Sequence, residues 1–264
     1  VLSLVAVVTS YHLANGGTVA SAILIGLFIG LVVGVINGLL VTKGRLAPFI
    51  VTLATLSIVG GAALTFTNGQ TLSIGNSKQA LAYATIAPGN TLGIPTPMVI
   101  FIFVYLVSFF IAHYTQLGRN VYAVGSNEEA ARLTGINVTA TKMAVYIISG
   151  VLASMSGIIL SSRLTAGSPL GGEGSELDAI ACVVIGGTSL FGGEGGLVGT
   201  LVGILIVTVL NNLMNLLAIP PYSQMIAKGA IIALAVLIER QRELRSQRAV
   251  VSRSGLQEEA NRVQ

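Results

Sequence analysis

The sequence predicts an all-α fold, a polytopic transmembrane helix bundle, and three observations predict it. Charged residues are 9% of the 264-residue chain and hydrophobic ones 53%, against about 25% charged in ordinary soluble chains. Residues 1 to 114 carry only Lys43, Arg45 and Lys78 as charges and no acid at all. Gly26, Gly30, Gly34 and Gly38 recur at a spacing of four within an uncharged stretch from Val19 to Val41. In lipid, helices associate through close backbone approach, which a stripe of missing side chains permits. These four glycines are therefore expected to be helix-packing positions.

A span needs about 20 apolar residues. On that ruler the candidates are 1 to 9, 19 to 41, 48 to 66, 98 to 114, 143 to 161, 177 to 192, 196 to 218 and 225 to 239, about eight in all. The chain opens on Val1 inside an apolar run, without a starting Met or a basic flank. This reads as the remainder of a longer helix, so one or more N-terminal helices are expected to be missing. The interval 177 to 192 runs into Gly186, Gly187, Gly192, Gly193, Gly195 and Gly196, so it is expected to be short or broken near 186 to 196. Irregular backbone at membrane depth is tolerated where it is buried in protein or lines a water-filled cavity, which makes this stretch a candidate pathway lining or gate.

Orientation follows from the bases in alternate connections. One side holds Lys43, Arg45, Arg119, Arg132, Lys142 and the arginines from Arg240 to Arg262, while the other holds Lys78 and Arg163. Lys and Arg accumulate in cytoplasmic connections, so the first group is placed inside. This parity requires 177 to 192 to cross. The expected organisation is a permease domain over 1 to 240, with a segment at 118 to 142 on the inner side, and a cytoplasmic Arg-rich tail over 241 to 264. On the outer side, 67 to 97 is rich in turn formers such as Asn68, Gly69, Pro88 and Gly89.

Within 118 to 142, Ser126 with Glu129 three residues later reads as a capping box. Glu128 and Glu129 suit the positive end of the helix dipole, and Gly135 suits a left-handed stop. The expected helix is too short to hold alone in water. Ala130, Leu133 and Ile136 are expected to supply its apolar docking face. A surface helix packed on its own bundle is the bland reading.

Catalytic and metal chemistry find no support in the residues. His12 and His113 sit at span ends without a partnering Cys or acid at ligand spacing, and Cys182 is the single cysteine. The glycine cluster lacks the Lys-Ser or Lys-Thr of a phosphate loop, so no ATP site is expected in this chain. The bases lie in connections and tail, which reads as topology rather than a nucleic-acid surface. Glu173, Glu176 and Asp178 are expected at the outer end of a span and Glu194 at the cytoplasmic end, because charges at the bilayer centre cost about 2.5 to 3.5 kcal/mol each on insertion scales. Lys228, just beyond the turn at 220 to 224, is expected to snorkel to the outer interface.

Asn37, Thr52, Thr55, Thr188, Ser189, Asn211, Asn212 and Asn215 are uncharged polar residues on apolar segments. Most would serve as interhelical hydrogen bonds, worth around 0.6 kcal/mol each. A route lined by amides, hydroxyls and glycine backbone also suits a neutral polyol. Asn37, Gly186, Gly187, Thr188, Ser189, Gly192, Gly193 and Asn211 are the pathway or gate candidates.

Three runs carry a family resemblance. Glu176 to Gly196 (ELDAIACVVIGGTSLFGGEGG), Asn37 to Leu40 (NGLL) and Leu46 to Leu53 (LAPFIVTL) resemble the permeases of the ribose, xylose and arabinose group of ATP-binding-cassette importers, autoinducer-2 permeases included. Glu128 to Ile136 resembles their coupling segment. The likeness spans roughly 20 to 240, and the Arg-rich tail departs from it. It implies a transport subunit that is not itself an enzyme, in a bacterial inner membrane, moving a monosaccharide. ATP and Mg would be bound by a partner ATPase and no cofactor by this chain. The implied partners are a second permease, identical or not, a cytoplasmic ATP-binding subunit, a periplasmic or extracellular sugar-binding protein, and membrane lipid. The coupling residues implied are Ser126, Asn127, Glu128, Glu129, Ala130, Ala131, Arg132, Leu133, Gly135 and Ile136. Lys78, Arg163, Glu173 and Glu176 are the charged candidates for binding-protein contact. The rivals are autoinducer-2 as cargo, an ion-coupled secondary transporter of a small polar solute, and an intramembrane enzyme.

Overall fold

The computed structural model describes residues 1–91, 93–190, 192–220, 223–231, 233 and 237. The Arg-rich tail at 241 to 264 lies outside the described residues. Two compact units are present, Val1–Glu173 and a second that begins at Gly174.

The first unit runs α1 (Leu2–Ala14), α2 (Val19–Thr42), α3 (Pro48–Thr67), β1 (Leu72–Ser73), α4 (Lys78–Ala84), β2 (Asn90–Thr91), β3 (Ile94–Pro95), α5 (Thr96–Tyr114), α6 (Gln116–Ser126), α7 (Glu128–Leu133), α8 (Val138–Leu164) and β4 (Ala166–Gly167). The second holds α9 (Ser175–Ile185), α10 (Leu197–Leu216) and a helical stretch at 223–231. The strands are two-residue antiparallel ribbons, β1 with β4 and β2 with β3. The architecture is all-α.

Helix limits follow local chemistry. Thr18 caps α2 by accepting from the Ser21 amide, and Asn137 caps α8 by accepting from the Ala140 amide. Pro48 opens α3, where its missing N–H costs nothing. Among the described residues five helices are long and apolar enough to cross a membrane: α2, α3, α5, α8 and α10. The expected count of about eight is corrected accordingly. The apolar runs at 1 to 9 and 177 to 192 become helices of 13 and 11 residues, and only part of 225 to 239 is described. At 1.5 Å per residue α9 covers about 16 Å, roughly half a hydrocarbon core, so it does not cross by itself.

The core of the first unit is the pairing of α2 with α8, with α1 packed on both. All four glycines of the α2 stripe are buried there. A β-carbon on Gly30 would overlap the Gly150 carbonyl oxygen, and one on Gly150 would overlap that of Gly30. Gly34 meets the Tyr146 carbonyl and Gly38 the Met143 sulfur. Helix α5, by contrast, buries no residue, and one face of it carries a ladder of stacked rings, Phe101, Tyr105, Phe109 and His113.

Candidate functional site

The 116–142 segment folds as two short helices rather than one. α6 continues through Ser126, and Asn127 turns extended (φ −155°) to cap α7, its Oδ1 accepting from the Ala130 amide at 2.9 Å. The expected Ser126–Glu129 capping box is therefore corrected. Asn is as good a cap as Ser, and the boundary falls one residue later. The stop is a Schellman motif: Gly135 (φ +84°) donates to the Arg132 carbonyl and Ile136 to that of Ala131, both at 3.1 Å.

Within the chain α7 packs through a different face from the one expected to dock. Ala131, not Ala130 or Leu133, is buried, and it packs with Val124 of α6 and Val138 of α8, with Ile136 against them. Glu128 joins Lys142 at 2.6 Å and Arg132 at 3.6 Å. The result is a fixed six-residue knuckle that turns Ala130 outward and leaves Leu133 85% exposed.

At the opposite end of α8 the 68–95 connection is pinned down, a feature the turn-rich sequence did not disclose. Tyr83 of α4 is fully buried. Its hydroxyl donates to the Ile158 carbonyl at 2.9 Å and lies 2.5 Å from Ser161 Oγ. Ser162 Oγ donates to the Tyr83 carbonyl and accepts from the Ala87 amide. Burial pushes the Tyr83 phenol up from its ordinary value, so it stays protonated as a donor. The pairing of Leu72 with Gly167, and the Ile74 amide on Thr165, add backbone ties. Lys78, the first residue of α4, and Arg163, in the last turn of α8, are both exposed near this junction. Glu173 is exposed at the close of the first unit, and Glu176 is exposed on the first turn of α9.

In the second unit α9 ends in another Schellman stop, Gly187 (φ +82°) donating to Val184 and Thr188 to Val183. Gly192, Gly193 and Gly195 are all left-handed, and the Ser189 amide closes the loop on the Glu194 carbonyl at 3.0 Å. Gly186 is a packing position too: a β-carbon on it would lie 2.5 Å from the Gly199 carbonyl of α10. Thr188, Ser189 and Asn211 are half-buried, while Gly187 and Gly192 are exposed. In the first unit, Asn37 Oδ1 accepts from Thr55 Oγ1, joining α2 to α3.

Lys228 has a partner that the sequence reading did not name. Its Nζ lies 2.9 Å from both carboxylate oxygens of Asp178, with hydrogen-bond geometry to Oδ2 only. Nothing local links positions fifty residues apart, so the sequence held no signal for it beyond two charges in apolar surroundings.

Five helices long and apolar enough to cross a membrane, with glycine-packed helix pairs in each unit, define the class as a membrane-spanning protein. The chain belongs to the family described as "Branched-chain amino acid transport system / permease component", which matches residues 1–236. It is 45% identical over 225 residues to the ribose import permease protein RbsC of Escherichia coli K12, covering 85% of this chain and 69% of that one. To RbsC of Bacillus subtilis it is 42% identical over 243 residues, 92% and 74% of the two chains. To the L-arabinose transport system permease protein AraH of Escherichia coli K12 it is 38% identical over 209 residues, 79% and 62%. No solved structure matches the chain.

Proposed function

We propose that this chain is the membrane-spanning subunit of an ATP-binding-cassette importer that carries a monosaccharide, with ribose the first cargo to test, across the bacterial inner membrane. The observation that carries this reading is the identity of 42 to 45% with two ribose import permeases along most of the chain. On this reading the chain performs no chemistry. A separate ATPase binds ATP and Mg, and its motion enters through residues 126–136. The α7 knuckle supports that role, because its inner face is spent on α6 and α8 while Leu133 stands free for a partner groove.

The outward connections, with Lys78, Arg163 and Glu173, receive a soluble sugar-binding protein, where rim charges set encounter rate and register. A second permease, the same chain or a relative, completes the pathway. Asn37, Thr188 and Asn211 face the solute, and the 186–196 loop acts as its gate. The test is reconstitution of the chain in proteoliposomes with its ATPase and binding protein. ATP-dependent ribose uptake is expected, and Leu133→Asp should lower ATPase affinity at least tenfold without lowering membrane yield. Uptake that persists without ATP and collapses with an ion gradient sinks the proposal.

A further inference from the structure

The Asp178–Lys228 pair lies deeper than its place in the sequence suggests. Gly186 meets Gly199 and Thr200, and the Cys182 carbonyl meets Gly203. Four residues back along α9 thus correspond to four forward along α10, so the two helices run antiparallel. One further turn places Asp178 level with Val207, the middle of the Leu197–Leu216 span. The return helix brings Lys228 toward the same level. Gln224 Nε2 donates to Asn215 Oδ1 and to the Ile219 carbonyl at the end of α10, and Lys228 sits one turn, about 6 Å, further in. Asp178 is therefore about 14 Å from either end of α10, half the depth of a hydrocarbon core, and the long Lys228 side chain reaches inward to meet it.

Neither charge is sealed there. The Lys228 and Asp178 side chains keep 25% and 32% of their surface exposed. Charged groups at bilayer centre face the bundle interior or a water-filled cavity, not lipid. The ammonium has three protons and gives one to Oδ2. Oδ1 lies beside it without a hydrogen bond and is shut from solvent in this conformation. A donor with protons to spare and a carboxylate with lone pairs to spare, adjacent and summing to zero charge, suit two hydroxyls of a neutral polyol. A free ion would have to break the pair to use either half.

We propose that Asp178 and Lys228 form a mid-depth contact site for a polyhydroxyl solute, one hydroxyl donating to the carboxylate and another accepting from the ammonium. This rests on the importer reading above and gives it a site. The test uses the assembled transporter in proteoliposomes. In a Cys182→Ala background, Lys228→Cys should react with a charged methanethiosulfonate, and saturating D-ribose should slow the reaction at least fivefold. Asp178→Asn and Lys228→Met should each reduce ribose uptake at least tenfold with a raised KM. The exchanged pair, Asp178→Lys with Lys228→Asp, should recover thermal stability but not uptake.

Full uptake by the exchanged pair would make the contact purely structural and overturn the proposal. So would an introduced thiol at position 228 that stays unreactive in every nucleotide state, or one that reacts at an unchanged rate with ribose present. If the unmodified transporter takes up no ribose, the cargo reading fails separately. Protection of that thiol by L-arabinose or D-xylose then decides the site.

Discussion

The α2–α8 and α9–α10 seams use the same device to different ends. In both, glycine lets one backbone press on the other's carbonyls, Gly30 on Gly150 in the first and Gly186 on Gly199 in the second. The first joins helices of 24 and 27 residues, and no acidic or basic side chain lies between Val19 and Thr42. The second joins a 20-residue helix to one of 11. The half-length partner begins beside the middle of α10, so on the α9–α10 register its first turn brings Asp178 level with Val207, where a full span would place an apolar residue. Close packing is common to both, and helix length decides whether it yields scaffold or site.

The comparison breaks most visibly by overfilling each seam. Gly30→Leu should cost about 3 kcal/mol, seen as lost membrane yield and a lowered Tm of the solubilised protein. Gly203→Leu meets the Cys182 carbonyl and should accelerate amide exchange in α9 while α2 and α8 stay protected. Equal loss in both regions would deny that they are separate structures.

A smaller effect is expected where the scaffold holds its outer connection. Tyr83→Phe removes the bonds to the Ile158 carbonyl and Ser161, worth about 1 to 1.5 kcal/mol. Exchange at the Ala87 and Ile74 amides should rise roughly tenfold, with the α2–α8 amides unchanged. The smallest sharpens the contrast at the other end. Gly135→Ala puts a β-carbon at φ +84° and costs about 1 kcal/mol, loosening α7 and weakening ATP-driven uptake more than it lowers Tm.

What was legible in the sequence was whatever is written locally. The spans at 19 to 41 and 48 to 66 meet helices at Val19–Thr42 and Pro48–Thr67, because apolar length and turn residues set both limits. The left-handed Gly135 and the buried glycine stripe were readable for the same reason. Ser126 and Asn127 are neighbouring good caps, so the choice between them belonged to α6, not to the motif. Tyr83 on Ser161 and Lys228 on Asp178 join residues 78 and 50 apart. A polar side chain in an apolar run does not say whom it will meet.

Helix α8 is unbroken from Val138 to Leu164, about 40 Å of rod. Its own glycines, Gly150 and Gly157, are filled by the backbones of α2 and α1, leaving no joint along its length. Such a bar transmits rotation undiminished. A tilt of roughly 10° imposed at Lys142 would swing the Ser161 turn, where Tyr83 is held, by roughly 5 Å over the intervening rise.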